Sequence, residues 1–219
     1  MDKLRMRFEK TGRAVYISHL DLMRTLQRGF SRAGYELKHS EGFNPHPQIS
    51  IALPLSVGMA SRCELMDFRL DKDEELSAMP ERLTAALPEG LKVTEVYKPE
   101  RKCALLKWLE CEGVFEYDRG DTAEKAAALQ SFFSRDELVI TKKTKRGLGE
   151  TDIKPGILRL AFEAGEGIVT VHTVVSAQEP TINPELLCEA LRQLAPELTP
   201  DFAKFTRLET YDADMKIFR

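Results

Sequence analysis

Two short segments near the N-terminus gather the side chains of this sequence that are best suited to chemistry. The first is Tyr16-Ile-Ser-His-Leu-Asp-Leu-Met-Arg24. It opens a helix, and it sets His19 at the positive end of the helix dipole, where the neutral imidazole is favoured, with Asp21 and Arg24 on the first turn. A neutral imidazole there could act as a base, a ligand or a hydrogen-bond donor. The competing reading is a capping cluster in which Ser18 and Asp21 close the helix end, Asp21 pairs with Arg24, and His19 merely packs. The second segment is Ser40-Glu-Gly-Phe-Asn-Pro-His-Pro-Gln48, a loop with prolines on both sides of one histidine. Prolines restrict the backbone on either side, so His46 is held in a pre-set loop of the kind that often carries function. Phe43 could stack on a base, Asn44 could read a base edge and His46 could contact a phosphate. The plainer reading is a rigid turn with Phe43 in the core.

A third candidate is the basic run Lys142-Lys-Thr-Lys-Arg-Gly147, in which Lys142, Lys143, Lys145 and Arg146 lie beside a glycine-containing loop that leads to Asp152. Such clustered cations can follow a phosphate backbone, although a basic hairpin end is also an ordinary solvated tip. Charge is unevenly spread in a chain whose net charge is -3. Residues 1–62 hold ten Lys and Arg against five acids, and residues 63–90 hold three against eight. A local basic face is therefore compatible with an acidic whole, and for a polyanionic ligand the local balance matters more. The arginines of the helix, Arg24, Arg28 and Arg32, recur every fourth residue. The expectation is that they converge with the histidines and the Pro-framed turn on one exposed cationic surface.

Other chemistries leave no trace. The sequence has no glycine-rich phosphate loop, no nucleophile elbow and no zinc-helix motif. Cys63, Cys103, Cys111 and Cys188 are too dispersed for a metal site or for the thiolate triad of an iron–sulfur enzyme, and read as reduced core thiols. No metal site is expected. No stretch approaches the ~20 apolar residues of a membrane span, and the N-terminus lacks a signal-peptide pattern, so a cytoplasmic location without a membrane partner is expected. With 42% hydrophobic and 31% charged residues over 219 positions, the chain has the composition of an ordinary globular protein, long enough for two small domains.

The elements that must position these segments follow from periodicity. Residues 4–10 alternate apolar and charged side chains, the pattern of a strand. A helix over 19–33 carries its apolar stripe on Leu22, Leu26, Phe30 and Ala33, widened by Leu20 and Met23, and Gly34 stops it. Strands over 48–53 and 63–70, a helix over about 73–87 and a strand over 91–97 complete the first half. Strand, helix, strand, strand, helix, strand is the ferredoxin-like, or split βαβ, order. In the second half, 104–117, 137–144, 157–164, 168–175 and 204–211 read as extended and 122–134 and 184–194 as helical. The fold class is thus α+β, with two ferredoxin-like halves whose antiparallel sheets carry helices on one face. The halves are a domain over 1–99 and another over 103–219, joined through Pro99-Glu-Arg-Lys102.

The run Tyr16–Arg24, then Arg32-Ala-Gly34, then Gly42-Phe-Asn-Pro-His-Pro-Gln-Ile-Ser-Ile-Ala52 with Pro54-Leu55 and Gly58, resembles the family of radical SAM-linked (radical SAM-associated) bacterial proteins, the domain of unknown function DUF2344. The resemblance covers nearly the whole chain, and Glu150–Lys154 is similar to the family's weaker second motif. Gln48 stands where a basic residue is expected after the second proline. The resemblance implies a radical SAM enzyme as partner, since such proteins occur beside or fused behind one with a cobalamin-type domain. Their setting near genes for ribosomal proteins and an RNA-processing nuclease implies RNA modification. It also implies that S-adenosylmethionine and the iron–sulfur cluster belong to the partner, with no cofactor in this chain. The order of the first half is similar to that of RNA-cleaving proteins of CRISPR systems, an analogy of fold.

Three functions are open at this point. The chain is an accessory module, not an enzyme on its own, that presents tRNA or rRNA to a radical SAM partner. Alternatively it is a metal-independent ribonuclease with His19 and His46 as base and acid, or a protein-interaction domain that docks the enzyme. Oligomeric state is not legible.

Overall fold

A computed structural model describes residues 2–144 and 147–219. The chain divides into two compact units, Met1–Cys103 together with Arg219, and Ala104–Phe218. The first unit runs β1 (Leu4–Lys10), α1 (His19–Arg32), β2 (Ile49–Ile51), β3 (Ala60–Phe68), α2 (Met79–Ala86) and β4 (Leu91–Tyr97). Its strands are antiparallel neighbours in the order β4-β1-β3-β2. This is the split βαβ arrangement. The second unit runs β5 (Trp108–Glu116), α3 (Thr122–Phe133), β6 (Val139–Thr144), β7 (Gly147–Asp152), β8 (Ile157–Ala164), β9 (Ile168–Ser176), α4 (Glu185–Leu194) and β10 (Phe202–Tyr211). Its sheet has the order β10-β5-β9-β8, again antiparallel. The same topology is therefore used twice, and the β6–β7 ribbon is inserted between α3 and β8. In chain order that insertion corresponds to the first unit's connection from α1 to β2, which contains the Pro-framed loop.

Each core follows from the apolar periodicity. In the first unit Leu4, Met6 and Phe8 of β1 meet Met66 and Phe68 of β3 beneath Leu22, Leu26 and Phe30 of α1 and Met79 and Leu83 of α2, so both helices cover one face. The Phe30 and Phe68 rings meet edge to face, 4.9 Å between centroids, a favoured aromatic geometry. In the second unit Phe115 meets Phe205 at 5.9 Å, and Phe162 stacks on Phe133 of α3 at 5.5 Å.

Several expectations are corrected. Leu20 is 65% exposed; at 100° per residue it stands about 160° around the helix from Leu22, off the buried row. Met23 does pack against the core. The second helix spans Met79–Ala86 and not 73–87, and a short 3-10 turn over Leu76–Ala78 precedes it. Pro80 lies in its first turn, where a missing N–H is harmless, which fixes the start there. The segment after the basic run is not a flexible loop: Gly147–Asp152 is β7, paired in register with β6 from Thr144↔Gly147 to Val139↔Asp152. Gly147 has φ +120, a conformation that suits glycine where the chain reverses. Finally, Arg5 is fully buried in spite of its place among alternating charges. Its Nε and Nη2 donate to the two carboxylate oxygens of Asp67 at 2.6 and 3.2 Å, the bidentate geometry that offsets the desolvation of both charges.

Candidate nucleic-acid interface

The first site segment is held from below by a residue that the strand pattern concealed. Lys10 ends β1 just after a register shift and is 1% exposed. Its ammonium donates to the carbonyls of Val15 at 3.1 Å and Ile17 at 3.4 Å, which brackets Tyr16. Burial lowers its pKa, while the charge of buried Glu64 acts in the opposite direction. The turn over Gly12–Tyr16 is also closed by Thr11 N–H donating to Gly90 O at 2.8 Å and by Gly58 N–H donating to Val15 O at 2.9 Å. Gly90 has φ +89, and a Cβ there would lie 2.4 Å from Thr11 O, so both conformation and space require glycine.

Above this platform α1 begins as the capping motif requires. Ser18 Oγ accepts from the Asp21 N–H at 3.2 Å and donates to Asp21 Oδ2 at 2.8 Å, and Arg24 Nη1 donates to Asp21 Oδ1 at 3.2 Å. The Ser18 hydroxyl, and then Arg24, hold the Asp21 carboxyl below its usual range. Asp21 and Arg24 thus serve the helix end and each other. His19 is exposed on the same turn.

The second segment is a braced hairpin. Ser40 N–H donates to His46 O at 2.8 Å and Gln48 N–H to Lys38 O at 2.7 Å, with His39 and Pro47 facing each other in an isolated bridge. His46 N–H donates to Ser40 Oγ at 3.1 Å, and His46 Nδ1 lies 2.9 Å from the same hydroxyl. His46 is therefore a strut of its own loop through one ring nitrogen. Gln48 Nε2 donates to His39 O at 3.2 Å, so the residue standing in place of a cation braces the loop as well. The bracing presents Phe43 at the tip fully exposed, at 112% of its reference area, with Asn44 exposed beside it. The alternative of Phe43 in the core is overturned.

Helix and loop meet in a groove of about 820 Å³ lined by Gln27, Arg28, Ser31 and Arg32 from α1, His39 and Pro47 from the loop base, and Tyr35, Glu36 and Asp71. This size falls within the range of ligand pockets. Arg32 Nη1 donates to Ala86 O at 2.8 Å, whereas the Arg28 guanidinium has no partner among the described residues. Tyr35 is 2% exposed, and its hydroxyl is without a hydrogen-bond partner among the described residues. Glu36 pairs with Lys72 at 3.1 Å. The groove therefore mixes two guanidinium groups with two carboxylates, and a uniformly cationic surface is not what forms.

Of the predicted site residues, only Arg28 lines this groove. His19, Asp21 and Arg24 sit at the start of α1, His19 roughly 13 Å along the axis from Arg28 at 1.5 Å per residue. His46 lines a second cavity of about 330 Å³ with Lys3, Gln48, Ser50, Asp67 and Arg69. Pro47 borders both cavities, and His19 lines neither. Lys142 and Lys143 lie on β6 in the second unit; Lys145 and Arg146 lie outside the described residues. Among the described residues no group of three or more His, Cys, Asp or Glu side chains is placed to hold a metal ion, and no helix is long and apolar enough to cross a membrane.

Residues 3–184 match the family described as "Uncharacterized protein conserved in bacteria (DUF2344)". The chain belongs to that family. No curated protein matches it. Among solved structures it is similar to a chain in the crystal structure of a Cbf5-Nop10-Gar1 complex, with a TM-score of 0.52 and 11% identity over 94% of this chain and 48% of that one. It thus spans about half the length of that relative. A crystal structure of an unknown protein from Galdieria sulphuraria is also matched, with a TM-score of 0.27, 10% identity and coverage of 94% and 98%. At 11% identity the likeness to the first of these concerns the fold alone.

For this DUF2344 member, the motif residues divide into groups that build the site and groups that the site displays. Ser18, Asp21, Pro45, His46 and Gln48 shape helix start and loop. Phe43, Asn44, His19 and Arg28 are displayed. Lys10, Tyr35, Glu36, His39 and Asp71 were missed. The one available signal for the groove residues was the pairing across the loop, since a hairpin centred on Gly42 to Pro45 sets His39 opposite Pro47.

Proposed function

We propose that this chain is an accessory RNA-binding protein that works in the cytoplasm with a separate radical SAM enzyme in the modification of tRNA or rRNA. The observation that carries this reading is the groove, where the guanidinium of Arg28, without a partner among the described residues, and that of Arg32 lie beside the base of a braced loop whose tip displays a bare phenylalanine. Cations for phosphate and an exposed aromatic for base are the two components of recognition of RNA strands. S-adenosylmethionine and the iron–sulfur cluster reside on the partner in this reading, which rests on the resemblance of the helix-start and loop motifs to radical SAM-linked proteins.

A specific observation favours a docking role for the same unit alongside RNA binding. Tyr16 is 73%, Leu20 65% and Val57 57% exposed. The Gly58–Val15 hydrogen bond brings the loop bearing Val57 to the turn bearing Tyr16. Exposed apolar side chains grouped in this way mark contact surfaces, and the radical SAM enzyme is the occupant proposed. Purification of the full chain from its own cells tests both roles together. RNA should be enriched with the wild-type chain and lost with Arg28→Ala/Arg32→Ala, while a radical SAM enzyme should remain bound after nuclease treatment. Recovery of neither RNA nor such an enzyme would refute the reading.

A further inference from the structure

Building on the RNA-binding reading, we infer that the groove receives one unpaired nucleotide whose base carries an exocyclic amino group, with another base of the same strand stacked on Phe43. The argument begins with the charge of the lining. Arg28 and Arg32 are opposed by Glu36 and Asp71, so the groove has no net excess of positive charge to match a double helix. A duplex brings phosphates at short intervals on two strands and is held mainly by dense cations. Its bases also keep their hydrogen-bonding edges paired, and an A-form major groove is closed to side chains. A single nucleotide needs a different balance, cations at its phosphate and acceptors at its base edge.

The carboxylates supply those acceptors. Glu36 is engaged with Lys72, but the Asp71 carboxylate makes no hydrogen bond among the described residues, and its backbone N–H is fixed to Glu36 O at 3.0 Å. An ionised carboxylate only accepts, so it favours the amino group of cytosine, adenine or guanine and disfavours the carbonyl that uracil presents at the same position. Gln27 and Ser31 complete a lining that can hydrogen-bond a base edge. The loop strengthens the case for an unstacked strand. A fully exposed phenylalanine forgoes its burial free energy, and here the hydrogen bonds of Ser40, His46 and Gln48 hold it in that position. A base that has left its own stack can restore the lost contact, whereas a paired base cannot reach the ring.

The test uses the full chain with twelve-residue oligo(rC), oligo(rU) and the duplex oligo(rC)·oligo(rG), titrated at pH 7.5 and low salt. Oligo(rC) should bind about tenfold more tightly than oligo(rU), and the duplex should bind more weakly than oligo(rC). Asp71→Asn should level the two homopolymers, Glu36→Gln should leave their ratio in place, and Phe43→Ala should weaken both by a common factor of about ten. Circular dichroism of each variant establishes that it is folded. Equal binding of oligo(rC) and oligo(rU), or duplex binding as tight as oligo(rC), overturns this inference and leaves RNA binding standing. Binding of none of the three overturns the RNA-binding reading itself.

Discussion

At the scale of single residues, the site depends on side chains whose roles differ from those their sequence positions suggest. Lys10 stands at the end of an alternating strand and reads as a solvated cation; in the fold its ammonium holds Val15 and Ile17 and sits near buried Glu64. Replacing it with Met leaves those two carbonyls without their donor. Lys10→Met should therefore destabilise the protein by roughly 2 kcal/mol, the cost of leaving buried acceptors unmet. Urea denaturation of the variant measures this. The sign of the pH effect follows from the lowered Lys10 pKa. Below the folded-state value the unfolded and folded chains are both protonated and the desolvation cost is present in full; as pH rises through that value towards the ordinary lysine range, the folded chain releases its proton first and the cost declines. Tyr35 poses the opposite case. Its buried hydroxyl, without a partner among the described residues, makes Tyr35→Phe neutral or stabilising by up to about 1 kcal/mol in the same denaturation experiment. Neither residue was legible, because burial of a charge or a hydroxyl arises from tertiary packing and leaves no local period. His46 shows a middle case: its pre-set backbone was legible from Pro45 and Pro47, but its bond to Ser40 depends on how the hairpin closes.

At the scale of elements, apolar periodicity was sufficient wherever a helix or strand has one buried face. The stripe Leu22-Leu26-Phe30 and the alternation Leu4-Met6-Phe8 lead directly to α1 and β1. It failed where the segment is mostly exposed. β7 reads Gly-Leu-Gly-Glu-Thr-Asp, and Leu148 is 80% exposed, so the strand owes its form to pairing with β6. The ribbon is fixed to α4 through Gln193, which accepts from Thr141 N–H and donates to Thr141 O, each at 2.8 Å. Central strands carry their own demands. Gly113 faces Phe205 across β5 and β10, and a Cβ there would lie 2.6 Å from the Phe205 ring. Gly113→Ala should cost about 1–3 kcal/mol through overpacking; a chain as stable as the wild type by thermal melting would contradict the pairing described. The Cys188 thiol, buried on α4, has its pKa pushed up to about 12 by burial. It should resist alkylation by iodoacetamide at pH 8 in the native chain and react when the chain is unfolded, because only the thiolate is nucleophilic.

At the scale of the whole molecule, the ferredoxin-like order appears once in each unit, with β4-β1-β3-β2 matched by β10-β5-β9-β8. The strand and helix order made the ferredoxin-like class of both halves legible, whereas the second half carries an inserted ribbon of which only the first strand, over 137–144, was legible. The repetition sets the two loop-bearing connections at corresponding steps of the two units, and the one in the first unit carries the groove. The net charge of -3 opposes RNA at long range, so the RNA binding proposed above rests on local cations. That makes salt dependence the most direct probe of the central claim. For full-length protein and oligo(rC), log affinity should fall linearly with log salt concentration with a slope of about -1.4, as expected for two phosphate contacts on a single strand. Arg28→Ala should reduce the magnitude of the slope by about 0.7 and weaken binding at low salt. A slope and affinity unchanged by Arg28→Ala would contradict the assignment of this groove as the RNA site.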